Sequence, residues 1–221
     1  MIKHILFDLD DTLYSARHGL GDYLNNRLRE YVASWLGLSF EEAKLIQEDG
    51  YRRWGSSIRW LVCEKGFTQA DEYFAYIHPE EEADSLSADP HLRKFLEDLP
   101  CPCSILTNSP AFHAERVLKK MELEGIFENT FDIISNNLIG KPDSSAFFRV
   151  LGVLGHGPDE VLFVDDVPHF VEGYLAIGGR GLLLDELDIH QNYPHERIKN
   201  IYEISPYLDK PYPGKPYTGE E

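Results

Sequence analysis

The sequence predicts a doubly wound α/β fold, a parallel sheet with helices on both faces, with an all-helical segment inserted after the first strand. Three observations support this prediction. Short apolar runs alternate with stretches of helical periodicity from about residue 100 to residue 185. The chain opens on another such run, which leads directly into aspartates. Between residues 14 and 89, helical periodicity is present without a convincing strand.

The first predicted strand ends in a cluster of carboxylates. Ile5-Leu6-Phe7 is followed by Asp8-Leu9-Asp10-Asp11, and ligands of open parallel sheets bind outside the carboxyl ends of the strands. Asp8 and Asp10 share a face because strand side chains alternate. Two such carboxylates repel each other unless a cation or a shared proton relieves them, and Mg²⁺ prefers oxygen ligands of this kind. An aspartate-rich turn without a metal is the alternative interpretation.

Four more strands and three helices are predicted after the inserted segment. The strands are residues 104–107, 131–135, 161–164 and 181–184. The helices are residues 111–121, 143–151 and 168–177, with Ser109 as N-cap and Pro110 in the first turn of the first one.

The inserted segment carries four stretches of helical periodicity, at residues 22–35, 40–54, 58–65 and 69–76. We therefore predict a catalytic core formed by residues 1–14 and 90–205, a helical cap domain of residues 15–89, and an extended tail of residues 206–221. A cap that leaves the sheet directly after the aspartates begins and ends near them, so it is placed to close over a site as a lid.

Composition excludes several classes of protein. The net charge of −17 disfavours a nucleic-acid partner, because such binding depends on basic patches. The three cysteines, Cys63, Cys101 and Cys103, have no metal-ligand spacing and predict a reducing, cytoplasmic environment. No leader-like N-terminus and no run of about 18 apolar residues occurs, so a membrane association is not expected.

Further polar residues follow the later strands. Thr107 and Asn108 stand before a predicted helix, where a hydroxyl and backbone N–H groups can hold phosphate oxygens. An ordinary N-cap turn is the alternative there. Lys141 lies between Gly140 and Pro142 in an extended loop, and it is either aimed at the aspartates or solvated.

The run Phe163-Val164-Asp165-Asp166 repeats the opening pattern of an apolar strand that ends in acids. The polar residues described so far, taken in their order along the chain, resemble the motifs of the haloacid dehalogenase-like hydrolase superfamily. The motifs that carry the resemblance are D-x-D-x-T at Asp8, Asp10 and Thr12, then Thr107, Lys141, and the pair Asp165-Asp166.

The resemblance implies a Rossmann-like core and phosphoryl transfer. Asp8 would attack phosphorus and form an aspartyl-phosphate, and Asp10 would protonate the leaving oxygen and then activate water. An acid at position 10 disfavours dehalogenation of carbon. The implied Mg²⁺ ligands are Asp8, the Asp10 carbonyl, Asp166 and, in support, Asp165; the implied phosphate ligands are Thr107, the Asn108 amide and Lys141.

One departure concerns the residues after the acidic pair. Val167 and Phe170 stand where the superfamily often has Ser and a further polar residue. Any polar support of the metal ligands would then have to come from other side chains. His169 and Glu172 are the candidates to replace it.

The cap resembles the pyrimidine 5′-nucleotidase branch of the superfamily through residues 51–61 and 76–78, although Trp60 stands where that branch usually has Gly. Arg59 and His78 are the candidate substrate-binding residues of the cap. Its aromatic residues either stack on a base or form the core of the cap itself.

We therefore predict a Mg²⁺-dependent phosphatase of small phosphorylated metabolites, a pyrimidine nucleoside 5′-monophosphate being the expected substrate, in a monomer or homodimer. A sugar phosphate phosphatase or phosphomutase of the same superfamily is the alternative within enzymes. A binding protein that keeps the fold without turnover is the alternative outside them.

Overall fold

The computed structural model describes residues 1–209. A parallel sheet is built from β1 (His4–Phe7), β2 (Cys103–Leu106), β3 (Thr130–Phe131), β4 (Val161–Asp165), β5 (Arg180–Leu184) and β6 (Arg197–Ile198). Their order across the sheet is β3-β2-β1-β4-β5-β6, and all neighbouring strands are parallel. The predicted α/β class is confirmed, and the first strand lies between β2 and β4.

The helices between β1 and β2 are α1 (Leu20–Leu36), α2 (Phe40–Trp54), α3 (Ser57–Lys65), α4 (Ala70–Ile77) and α5 (Pro90–Glu97), with short 3₁₀ helices at Ala16–His18 and Glu82–Ser85. The later helices are α6 (Ala111–Lys120), α7 (Ser144–Leu154), α8 (Pro168–Ala176) and α9 (Ser205–Leu208). Helix α2 begins at residue 40, as predicted. Ser39 and Glu42 form a reciprocal capping box that fixes this start.

The core has two layers, one on each face of the sheet. Ile5 and Phe7 of β1 belong to the larger layer, which α6 and the inserted helices cover. Leu6 points to the other face, where it packs with Phe147 of α7 and Tyr174 of α8. The alternation along β1 thus buries three successive apolar side chains and places the end of the strand at one edge of the sheet.

The strand predicted at residues 131–135 is wrong in length, since β3 ends at Phe131. The side chain of Asp132 accepts hydrogen bonds from the N–H groups of Ile134 and Ser135, which folds the chain into a turn. Ile134, which looks apolar enough for a strand, is 42% exposed. Strand β6 and helix α5 were not predicted.

Helix α9 ends one residue before the last described residue, Asp209, so the tail predicted at 206–221 begins with a helical turn. Residues 210–221 lie outside the described part of the chain, and their extended conformation stays a prediction, as do the domain boundaries. Within residues 1–209, no helix combines the length and the apolar character that crossing a bilayer requires.

Candidate active site

The carboxyl ends of three adjacent strands meet at one point of the sheet. Asp8 follows β1, Thr107 follows β2 and Asp165 ends β4. A cavity of about 290 Å³ opens over this edge and is lined by Asp8, Thr107 and Asp166 as well as by the inserted helices. The structure therefore places the ends of these three strands at a cavity, where ligands of such sheets bind.

Lys141 is the central cation of the site and is only 1% exposed. Its Nζ lies 2.6 Å from Asp8 Oδ1 and 2.6 Å from Asp165 Oδ2. The Asn108 side chain holds the lysine loop, since Oδ1 accepts from the Lys141 N–H and Nδ2 donates to the Lys141 carbonyl. A Cβ on Gly140 would lie 2.2 Å from Asn108 Oδ1, so the glycine permits this close approach.

The residues after the acidic pair support the site without polar side chains. The Val167 N–H donates to Asp165 Oδ1 at 2.8 Å. The Phe170 ring lies 5.1 Å from Lys141 Nζ, at the distance of a cation–π contact. His169, a candidate to replace the missing polar residue, lines a different cavity. Backbone and ring contacts are therefore found where the superfamily often has polar side chains.

Three carboxylates converge beside Lys141. Oxygen atoms of Asp8, Asp165 and Asp166 lie within 4.8 Å of one another. Burial raises the pKa of Asp8 above its usual value; Lys141 opposes this rise and Asp165 adds to it. Burial and the charges of Asp165 and Asp8 raise the pKa of Asp166 as well. Three carboxylates that repel one another and offer only oxygen ligands fit a hard divalent cation such as Mg²⁺.

The Asp10 carboxylate is held by three donors. Oδ1 lies 2.7 Å from the Tyr14 hydroxyl and 2.7 Å from His113 Nε2, and the Ser109 hydroxyl donates to Oδ2 at 2.8 Å. Burial alone would raise the pKa of Asp10, but His113, Tyr14 and Ser109 hold it well below its usual value. The predicted N-cap role of Ser109 is wrong, because Pro110 takes the cap position and the serine hydroxyl points to Asp10.

His113 is a site residue that the sequence analysis missed. It is completely buried on α6, and its Nδ1 lies 2.9 Å from Oε2 of Glu82. Burial would lower the pKa of His113, but the neighbouring Asp10 and Glu82 raise it to about 10. The available signal was a histidine within the apolar stripe of α6, four residues before the buried Val117.

The two predicted substrate-binding residues of the cap differ in position. His78 lines the cavity, but its Nδ1 lies 2.7 Å from Glu82 Oε2, so this nitrogen already has a partner within the protein. Arg59 lines a second cavity together with Arg53 and Trp54. The structure therefore does not bring Arg59 to the cavity that contains Asp8.

Two amide side chains of the inserted helices line the cavity, although neither was predicted as a site residue. Gln47 and Asn25 both line it. Gln47 Nε2 donates to the Ser57 hydroxyl at 2.7 Å, whereas the buried Oε1 has no hydrogen-bond partner among residues 1–209. A buried acceptor without a partner at a cavity wall is a candidate contact for a ligand donor.

The aromatic residues of the cap have two roles. Trp60 is buried against Gly50, where a Cβ would lie 2.3 Å from the indole, so this tryptophan belongs to the core of the cap. Tyr51, Tyr73 and Phe74 line the cavity. Tyr73 and Phe74 are also part of the buried core, and stacking of these rings on a base stays a prediction.

Comparison with known proteins gives one family match and several relatives. The model of the haloacid dehalogenase-like hydrolases matches residues 2–172. The chain is 26% identical to a phosphoglycolate phosphatase of Mannheimia succiniciproducens over 183 residues, which is 74% of this chain and 77% of that one. It is also 26% identical to the phosphatase MT3486 of Mycobacterium tuberculosis over 206 residues, 83% of this chain and 88% of that one.

A solved structure shares the fold. The HAD phosphatase from Thermococcus onnurineus superposes with a TM-score of 0.64 at 21% sequence identity, and the match covers 96% of this chain and 100% of that one. The residues matched by the family model include every strand-end residue described above.

Proposed function

The chain belongs to the haloacid dehalogenase-like hydrolases, and from that premise we propose that it is a Mg²⁺-dependent phosphomonoester hydrolase with Asp8 as its nucleophile. The observation that carries the proposal is the buried Asp8–Lys141–Asp165 arrangement at the floor of a cavity. The names of the phosphatase relatives support the same reaction class.

Asp8 is suited to attack because Lys141 holds one oxygen of its carboxylate and the cavity lies over the group. The Asp8–phosphorus bond forms as the bond to the leaving oxygen breaks. The Thr107 hydroxyl accepts from the Ser109 N–H at 3.0 Å, which leaves its proton to donate to a phosphoryl oxygen. The backbone N–H of Asn108 is assigned to a second oxygen, because the side chain of this residue holds the lysine loop.

Asp10 is the proposed acid and base. It enters the step protonated, gives that proton to the leaving oxygen, and in its ionised form later takes one from the water that cleaves the aspartyl-phosphate, so it is protonated again at the end of each turnover. The hydrogen bonds that it accepts favour the ionised form. A bound phosphate brings negative charge beside Asp10 and works in the opposite direction, toward the protonated form.

Asp8, Asp166 and the Asp10 carbonyl would hold the cation, with Asp165 in support. A bound Mg²⁺ would draw negative charge from the transferring phosphoryl group. Lys141 already neutralises part of the carboxylate charge, which keeps Asp8 and Asp165 in place beside each other.

The walls of the cavity favour a neutral leaving group. Within the described chain, the residues that the inserted helices contribute to the cavity include no lysine or arginine. The carboxylate of phosphoglycolate would therefore meet no cationic side chain of the cap. Tyr51, Tyr73 and Phe74 offer rings, and Asn25 and Gln47 offer amides. This combination supports a nucleoside 5′-monophosphate, a pyrimidine one in line with the cap resemblance.

A panel of phosphomonoesters assayed with Mg²⁺ tests the function. We expect release of inorganic phosphate from UMP or CMP to exceed release from sugar phosphates and from phosphoglycolate. Preference for a sugar phosphate would reject the nucleotide substrate and keep the phosphatase. An isomerised sugar phosphate without release of phosphate would instead identify a mutase.

Gln47→Leu is expected to lower kcat/KM for UMP about three- to tenfold relative to 4-nitrophenyl phosphate, because one hydrogen bond from the nucleoside is lost. The measurement is the ratio of the two kcat/KM values. Gln69→Leu is the matched control, since Gln69 is exposed and, within the described residues, its side chain bonds only to that of Glu72. If Gln47→Leu changed this ratio no more than Gln69→Leu does, Gln47 would not belong to the substrate site.

Asp10→Asn is expected to slow phenyl phosphate on the order of 10²–10⁴-fold, the usual contribution of general acid–base catalysis. The loss should be smaller for 4-nitrophenyl phosphate, whose leaving group needs less protonation. The two esters are similar in shape, so their ratio isolates the leaving-group step. Equal losses for both esters would contradict the acid role of Asp10.

A further inference from the structure

A chain of buried polar contacts leads away from Asp10 into the segment that follows the inserted helices. Asp10 Oδ1 lies 2.7 Å from His113 Nε2, and His113 Nδ1 lies 2.9 Å from Glu82 Oε2. The same Glu82 oxygen lies 2.7 Å from His78 Nδ1. The other oxygen of Glu82 accepts from Arg116 at 3.1 Å.

The residues of this series of contacts come partly from the core and partly from the segment between β1 and β2. His113 and Arg116 belong to α6 of the core, whereas His78 ends α4 and Glu82 opens the 3₁₀ helix on the way back to the core. Arg116 also donates to the carbonyls of His78 and Pro79. The returning segment is thereby fixed to α6 at several points.

Burial makes the contacts specific. The side chains of His113 and Glu82 have no exposed area. Water therefore has no access to replace a lost partner, and each of these polar groups depends on the next one.

The contact with His113 also determines which oxygen of Asp10 is available. Among residues 1–209, Oδ1 receives two donors, Tyr14 and His113, whereas Oδ2 receives only Ser109. Both Asp10 and Ser109 line the cavity. Rotation of the carboxylate would break the two contacts of Oδ1, so they keep Oδ2 as the oxygen that is open to a leaving group.

We propose that His113 is a positioning residue for Asp10 and that Glu82, from the segment that returns from the inserted helices, positions His113. This role rests on the proposed function, because it acts through the acid–base step of Asp10. It makes the orientation of the acid depend on a segment that belongs to the connection between cap and core.

A metal site is the other use of these groups, since ligand atoms of His78, Glu82 and His113 lie within 4.8 Å of one another. The Arg116 guanidinium, 3.1 Å from Glu82, opposes a second cation there. Positioning of His113 through its charged contact with Glu82 is therefore the role that the contacts favour.

The test compares His113→Asn with His113→Gln on phenyl phosphate and 4-nitrophenyl phosphate. Glutamine can place an N–H near the position of Nε2, toward Asp10, whereas the shorter asparagine cannot. We expect His113→Asn to slow phenyl phosphate roughly tenfold or more beyond its effect on 4-nitrophenyl phosphate. His113→Gln should recover part of that difference.

His4→Asn is the matched control. His4 is also buried and bonds to Ser104 at 3.0 Å, but it lies at the opposite end of β1 from the cavity. It should lower thermal stability and leave the ratio of the two esters at the wild-type value.

Equal losses for both esters in folded His113→Asn protein would overturn the positioning role, as would glutamine behaving like asparagine. If His113→Asn does not fold, Glu82→Gln takes its place and should change the ester ratio in the same direction; an unchanged ratio would overturn the proposal. Wild-type protein that hydrolyses neither ester with Mg²⁺ would instead overturn the proposed function, and the role of His113 with it.

Discussion

Asp8→Asn is expected to remove phosphomonoester turnover, with a loss on the order of 10⁴-fold or more. The amide has nearly the shape of the carboxylate but cannot supply the attacking anion. It also removes the negative partner of Lys141, which lies 2.6 Å away. The measurement is the release of phosphate from UMP and from 4-nitrophenyl phosphate, with mass spectrometry of the protein to exclude deamidation back to aspartate.

Asp132→Asn is the matched control for this experiment. Asp132 is a buried aspartate that also follows a strand, but it caps a turn after β3 and does not line the cavity. Its replacement should lower stability and keep the turnover of folded protein. Activity of Asp8→Asn above about a hundredth of wild type would contradict the nucleophile assignment.

Removal of divalent metal is expected to have the second large effect. Exhaustive chelation with EDTA should abolish turnover and Mg²⁺ should restore it, whereas Ca²⁺ should not, because its longer bonds and looser coordination misplace Asp8. Mg²⁺ at about 100 times its dissociation constant should also stabilise the folded protein by about 2.7 kcal/mol, measured by thermal unfolding.

Asp166→Asn should lose that stabilisation, since Asp166 is one of the three converging carboxylates. Asp159→Asn is its control, because Asp159 lies in the 3₁₀ helix before β4, at the far end of that strand. Undiminished turnover after chelation, or an equal response of both variants to Mg²⁺, would argue against a cation at this site.

Much of the fold could be predicted because its signals are local. Strand β4 is a continuous apolar run, and α2 begins at a capping box that is visible in the sequence. The end of β3 could not be predicted in this way. Ile133 and Ile134 have the composition of a strand, but a single aspartate side chain bonds to the backbone and turns the chain.

The residues of the site also differ in whether a local sequence signal marks them. The structure brings Asp8, Lys141 and Asp165 together, and these residues could be singled out because each stands at a strand end or in a motif of fixed order. Their chemical roles remain predictions. His113 and Glu82 were missed, because what marks them most clearly is a contact between distant segments. Taken alone, they look like a helix residue and part of an acidic linker.

The position of β1 in the sheet has a consequence for how the protein is made. Ile5 pairs with Cys103 on one side and with Leu162 on the other, and the ribosome adds both partners long after Ile5 itself. Until then the apolar strand that carries Asp8 has no permanent neighbours, and such unpaired apolar segments are the ones that aggregate or bind chaperones. Asp8 therefore reaches its final surroundings only when β4 has emerged.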